Sequence, residues 1–175
     1  KFKKMKTILT TIISSILIIS NLNSQELNIN TKKASVMFEF ISEQTQGTVS
    51  GLEAKIVLNT DDLSKSSIEG SVDVTTLTTS NKMRDEHLQK ADMFDAKKHP
   101  KMTFKSNSFV QTESGIKAHG TVRIKGKEKE TDFIFKATKT GLIGSMTVYT
   151  NDFNVFPKAK RKDSKVNIKI NLPFK

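Results

Sequence analysis

The sequence predicts an all-β domain: an antiparallel β-barrel of about eight strands with one short helical insert. Three observations predict it. Eight segments alternate apolar and polar residues with a period of two, which sends one set of side chains inward and the other outward. Most connections between them are short and carry Gly or Asn and Asp turn signals, which favours an antiparallel meander over a parallel sheet. The segment from Ser80 to Ala91 drops the alternation for helical spacing.

The elements follow in order. Val36–Phe40 alternates, with Val36, Phe38 and Phe40 on one face. Gly47–Asn59 is a longer extended run, with Ile56 and Leu58 on one face and Lys55 and Asn59 on the other. Asn59-Thr60-Asp61-Asp62 reads as a polar turn, and Ile68–Val74 alternates after it. The fourth strand, Met102–Lys105, follows Pro100. Glu113-Ser114-Gly115 is a turn before His119–Lys125, and Lys125-Gly126-Lys127-Glu128 is a hairpin turn before Asp132–Lys136. Thr140-Gly141 reads as another turn, with Gly supplying a positive backbone angle. Ser145–Tyr149 and Val166–Leu172 complete the set. All are rich in Val, Ile, Phe and Thr, as half-buried strands are. Eight strands can close into a barrel, and closure removes the exposed edges that invite aggregation.

The inward set is Phe38, Phe40, Ile56, Val72, Val74, Met102, Phe104, Val122, Ile124, Phe133, Phe135, Met146 and Val148. In the insert, Met83, His87 and Ala91 recur every four residues, and Ser80 or Asn81 caps the start. Met83, Leu88, Met93 and Phe94 are its candidates for a lid or floor. An eight-stranded barrel is either filled by its own side chains or holds one small ligand. Each of these residues therefore reads as core or as ligand wall until a cavity is seen.

Composition narrows the function. The 175 residues suit one domain, and 11 Phe with many Val and Ile exclude a disordered chain. There is no Cys, so disulfides, thiolate metal sites and Cys nucleophiles are excluded. Residues 1–24 read as a secretory signal peptide: Lys1, Lys3, Lys4 and Lys6, an apolar run from Ile8 to Ile19, then small and polar residues to Ser24. The domain is then 25–175, and the protein is periplasmic or secreted. Cleavage removes four Lys and no acid, lowering the formal net charge from +11 to +7. Aromatic and basic residues do not interleave, so nucleic acid is not the expected partner. The cluster Lys158, Lys160, Arg161 and Lys162 reads either as a solvated loop or as a weak contact to an anionic membrane surface, at about 1 kcal/mol per charge.

The densest ionisable cluster is Arg84, Asp85, Glu86 and His87, followed by Asp92, Asp95 and His99. No nucleophile elbow accompanies it, and no H-x-x-x-H or H-E-x-x-H spacing offers metal ligands. The expectation is therefore no catalytic residue, no metal and no cofactor. Arg84 and Asp85 brace the loop instead, and His87 lies at the boundary of helix and barrel.

Leu77–Asp95, with its Thr and its Arg84-Asp85-Glu86-His87-Leu88 run leading to Asp92-Met93-Phe94-Asp95, is followed by Pro100-Lys101-Met102-Thr103-Phe104-Lys105-Ser106. This stretch resembles the YceI-like family of exported lipid-binding proteins, whose motifs have that order and spacing. Gly120–Gly126 is similar to the family's Gly-x-Leu-x-Ile-x-Gly hairpin, and Ser35-Val36-Met37-Phe38 to its opening strand. The sequence departs from the pattern at Lys33-Ala34-Ser35 and Phe40-Ile41-Ser42, where the family often has a His, and at Asn151-Asp152-Phe153-Asn154, where it has Arg-x-Asp-Phe-Gly. These changes fall on polar positions that would meet a ligand's head.

The resemblance implies a lipocalin-like barrel that holds a long isoprenoid, a polyisoprenoid quinone or a fatty-acid-like chain. The protein would act as a carrier or a store, not as an enzyme. Two alternatives stand beside it: a filled barrel serving as an envelope interaction module, and a lipid-modifying enzyme using Arg84, Asp85 and His87.

Overall fold

The structure is a computed structural model that describes residues 24–175, so the expected signal peptide lies outside the described residues apart from Ser24. The wall is built from β2 (Ser35–Phe40), β3 (Thr45–Leu58), β4 (Ser67–Thr78), β5 (Lys101–Thr112), β6 (Gly115–Ile124), β7 (Lys127–Thr138), β8 (Gly141–Tyr149) and β9 (Lys165–Pro173). Each pairs antiparallel with the next, and β9 pairs with β2 from Ser35↔Asn171 to Phe40↔Val166, closing an eight-stranded barrel. A ninth strand, β1 (Gln25–Glu26), pairs with the end of β3 outside the ring. Helix α1 (Lys82–Leu88) lies in the β4–β5 connection and α2 (Thr150–Phe153) in the β8–β9 connection.

Closure depends on β3. Its first half pairs with β2 and its second with β1, while β4 lies along the other side. The β3–β4 register slips between Thr48 and Glu53, where Gly51 takes φ +70°. Extra residues of this kind bend a strand sharply, and a barrel corner needs that bend. The Thr76 hydroxyl satisfies the freed Ser50 N–H at 2.7 Å.

Several boundaries differ from the sequence reading. Strand β5 runs to Thr112, not Lys105, because a register slip between Ser106 and Ser108 breaks the visible alternation. The helix is shorter than Ser80–Ala91, with Met83 83% exposed. Asn59 does not face solvent. It is 2% exposed, and its side-chain oxygen accepts the N–H groups of Asp61 and Asp62 at 3.0 and 2.8 Å. Lys125 and Gly126 both take positive φ, as a two-residue primed hairpin turn requires. Gly141 does not. It begins β8 against the Leu172 backbone, where a Cβ would not fit.

Candidate functional site

The barrel encloses two adjoining apolar chambers. The outer one, about 540 Å³, lies under the connections at one end of the barrel, and the inner one, about 120 Å³, is lined mainly by apolar side chains, with Glu69, Ser71 and Thr103 also in its wall. They share Phe38, Met102, Ile124 and Ile168, so the two chambers lie against one another. Buried Phe135 and Leu142 fill the barrel beyond the inner chamber.

Glycines keep this space open. The rings of Phe38, Phe104 and Phe133 lie against Gly47, Gly120 and Gly144 respectively, each so close that a Cβ would stand inside 3 Å. A ring seated on a bare backbone stays beside the wall and out of the lumen. Phe104 and Phe133 also meet edge to face, with centroids 5.7 Å apart.

The outer-chamber end carries the four connections β2–β3, β4–β5, β6–β7 and β8–β9. Among the described residues, all non-glycine positive φ angles fall there: Gln44, Ser80, Asp95, Lys125, Asn154 and Phe156. Such conformations are uncommon, persist only where surroundings hold them, and gather at functional sites. The holding contacts are present. The Lys158 ammonium pairs with Glu43 and sits 4.1 Å from the Phe156 ring centroid and 5.5 Å from that of Phe40. Phe40 and Phe156 meet edge to face at 5.9 Å. Arg161 bonds both oxygens of Asp152, at 2.8 and 2.6 Å, and stacks 3.7 Å from the Tyr149 centroid. That fork holds the Asp152 carboxyl below its ordinary range. Lys125 donates to the carbonyls of Asp92 and Asn154, both at 3.2 Å, tying the helical insert to the α2 segment.

Helix α1 begins at Asn81, whose side chain accepts the Arg84 N–H at 3.1 Å. Asp85 turns back onto β4. One oxygen accepts the Thr79 N–H at 2.8 Å and the Thr79 hydroxyl at 2.5 Å, and the other accepts the Thr78 hydroxyl at 2.7 Å. Desolvation pushes this carboxyl up, but the threonine hydrogen bonds and the Arg84 charge outweigh it and hold it below its ordinary value. Arg84 donates from Nε to the Thr79 hydroxyl at 2.7 Å and from Nη2 to the Thr79 carbonyl at 3.2 Å. The His87 ring meets Asp92 at 2.8 Å.

The inner chamber is lined in part by Ile56, Val72, Phe104, Val122, Phe133 and Met146. The outer chamber is lined in part by Phe40, Met83, Leu88, Met93, Phe94 and Val148, and Phe38, Met102 and Ile124 serve both. Val74 and Phe135 line neither. Val74 is buried where the β4–β5 connection rejoins the sheet, its N–H donating to the Pro100 carbonyl. Phe135 packs 5.8 Å from Phe133 in the filled end. The sequence set omits Val36, Val49, Leu52 and Ile68, and also Val166, Ile168, Ile170 and Leu172 of β9, whose alternation is plain. It also omits Phe153, Val155 and Phe156, which no periodicity marks because they lie at the end of a single helical turn and just after it.

A model of the YceI-like domain matches residues 27–174. The chain belongs to the YceI-like family. The YceI-like barrel is similar to solved structures that establish the fold. BcnA of Burkholderia cenocepacia is 20% identical, with a TM-score of 0.72, over 83% of this chain and 98% of that one. The YceI protein of Campylobacter jejuni is 23% identical, with a TM-score of 0.59, over 71% and 81%. A polyisoprenoid-binding domain from Saccharophagus degradans, implicated in plant cell wall breakdown, is 8% identical, with a TM-score of 0.53, over 82% and 94%. No curated protein matches the sequence.

Proposed function

We propose that this YceI-like protein binds a long apolar chain inside its barrel, a polyisoprenoid, a polyisoprenoid quinone or a fatty-acid-like chain, and carries or stores it after export. The observation that carries this reading is the pair of adjoining, mainly apolar chambers inside the barrel, the larger one at the end that carries the helical insert. Its outer volume lies within the roughly 300–1,000 Å³ usual for ligand sites. Each Å² of chain surface withdrawn from water contributes about 25 cal/mol, so the chain supplies the affinity and the mouth orients the head. The polyisoprenoid-binding description of the Saccharophagus domain supports the same ligand class.

Binding without bond chemistry suits the ionisable cluster. Asp85 is taken up by Thr78 and Thr79, and the His87 ring pairs with Asp92 instead of Asp85. The reading needs no cofactor, and among the described residues no group of three His, Asp or Glu is placed to hold a metal. Export rests on the pattern of residues 1–24. Among the described residues no helix is long and apolar enough to cross a membrane.

A weak contact with an anionic membrane surface belongs to this proposal. Lys158 and Arg161 are committed to Glu43 and Asp152, while Lys160 and Lys162 make no ion pair among the described residues. The contact therefore rests mainly on the latter two.

The test is to purify the protein without detergent, extract it with organic solvent and identify co-purifying lipids by mass spectrometry. A stoichiometric prenyl or acyl species is expected. A protein that is empty and takes up no isoprenoid or fatty acid would sink the reading in favour of an envelope interaction module.

A further inference from the structure

We infer that the mouth selects chains with an anionic head, a carboxylate or a phosphate, and that the end of the Arg84 guanidinium receives it. The inference rests on the chain-binding reading above and names the polar half of the ligand.

Arg84 lines the outer chamber. A guanidinium carries five N–H donors arranged as forks along its side and its end. Thr79 occupies the side fork, its hydroxyl accepting from Nε and its carbonyl from Nη2. Asp85 fixes Thr79 in turn by accepting both its N–H and its hydroxyl proton, so that hydroxyl faces Arg84 as an acceptor. The guanidinium is thus held in one orientation. Its end fork, Nη1 and the remaining Nη2 proton, has no partner among the described residues. A planar fork of this kind matches the two oxygens of a carboxylate or phosphate.

The remaining charges at the lining do not oppose such a head. Glu43 is neutralised by Lys158, and Glu69 of the inner chamber wall pairs with Lys105 at 2.8 Å. His87 is occupied by Asp92. Arg84 is the lining group with a full positive charge and spare donors. It stands at the outer chamber, so a head held there leaves the tail among that chamber's apolar residues, on the side where the inner chamber adjoins.

The experiment titrates the full chain with amphiphiles of matched tail and different head, read by native mass spectrometry and calorimetry: farnesyl phosphate, farnesol and farnesylamine, then palmitate and hexadecanol. The anionic member of each series is expected to bind on the order of tenfold more tightly than its alcohol. Arg84→Gln should erase that preference, bringing the anion down to the affinity of its alcohol, and a thermal melt checks separately that the barrel is intact. Arg84→Lys should keep part of it. The phosphate and palmitate arms separate the two sources of anionic head. Equal affinity for alcohol and anion, or a preference that survives Arg84→Gln, would overturn the inference while leaving the chain-binding reading standing. Failure of every tail to bind would overturn both.

Discussion

Replacing Gly144 with Ala should close the inner chamber without breaking the barrel. Gly144 has an ordinary strand conformation, so the substitution strains no backbone angle. The new Cβ would stand inside 3 Å of the Cε2 and Cζ atoms of Phe133, and its three nearest neighbours all belong to that ring. Carbon atoms pack at about 3.5–4.0 Å, so the ring must move by about 1 Å. Phe104 and Phe135 flank it at 5.7 and 5.8 Å, which leaves the lumen as the free direction. The inner chamber holds only about 120 Å³, and a ring moving into it removes a large share. Forcing extra volume into a packed wall costs about 1–3 kcal/mol. At roughly 2–4 °C per kcal/mol for a chain of this size, thermal unfolding should drop by several degrees. In a chain-length series, Gly144→Ala should retain short ligands held by the outer chamber and lose affinity for long ones. Unchanged Tm together with unchanged uptake of long chains would refute the claim that glycine sets the lumen's width.

Other expectations follow from the same contacts. Asp85→Asn should lower stability at pH 7 by about 1–3 kcal/mol, because it weakens three threonine hydrogen bonds at the root of α1. The wild-type Asp85 carboxyl is depressed, so its contribution is complete above the unfolded value near 3.8 and is lost as pH falls through the lower folded value. Denaturant melts between pH 7 and pH 3 should therefore show a shallower acid decline for the variant, and parallel declines would contradict this. Asn59→Ala should cost about 1–3 kcal/mol in a urea melt by orphaning the Asp61 and Asp62 N–H groups, with no change in ligand uptake at the far end of the barrel. In sedimentation with anionic vesicles, Lys160→Ala and Lys162→Ala should each weaken binding about fivefold at low salt. Lys158→Ala should weaken it less, since Glu43 already neutralises that charge.

Much of this protein was legible in the sequence because period two is a local signal. Alternation in Val36–Phe40, His119–Lys125 and Val166–Leu172 is set by the pleat of each strand, and short turns such as Lys125-Gly126 oblige neighbours to pair antiparallel. Those two facts give the pairing of strands joined by short turns and the alternation of their faces, while the long β4–β5 and β8–β9 connections and the β2–β9 closure lie outside their reach. Asn81 before a run of good helix formers likewise marks α1. Other features depend on residues distant in the chain. The slip at Ser106–Ser108 and the bend at Gly51 answer the curvature of the closed sheet, which no single strand records. Whether an inward residue is wall or filling was decided only by the closed barrel. Val72 lines the inner chamber and Val74, two residues on and equally inward by alternation, is buried away from both chambers. The lumen is open because Phe38, Phe104 and Phe133 find glycines on neighbouring strands, a pairing that exists only once register is set. The mouth is assembled from four connections whose charges lie far apart in sequence, as in the Glu43–Lys158 pair. Local pattern specified the barrel, and packing between distant strands made it hollow.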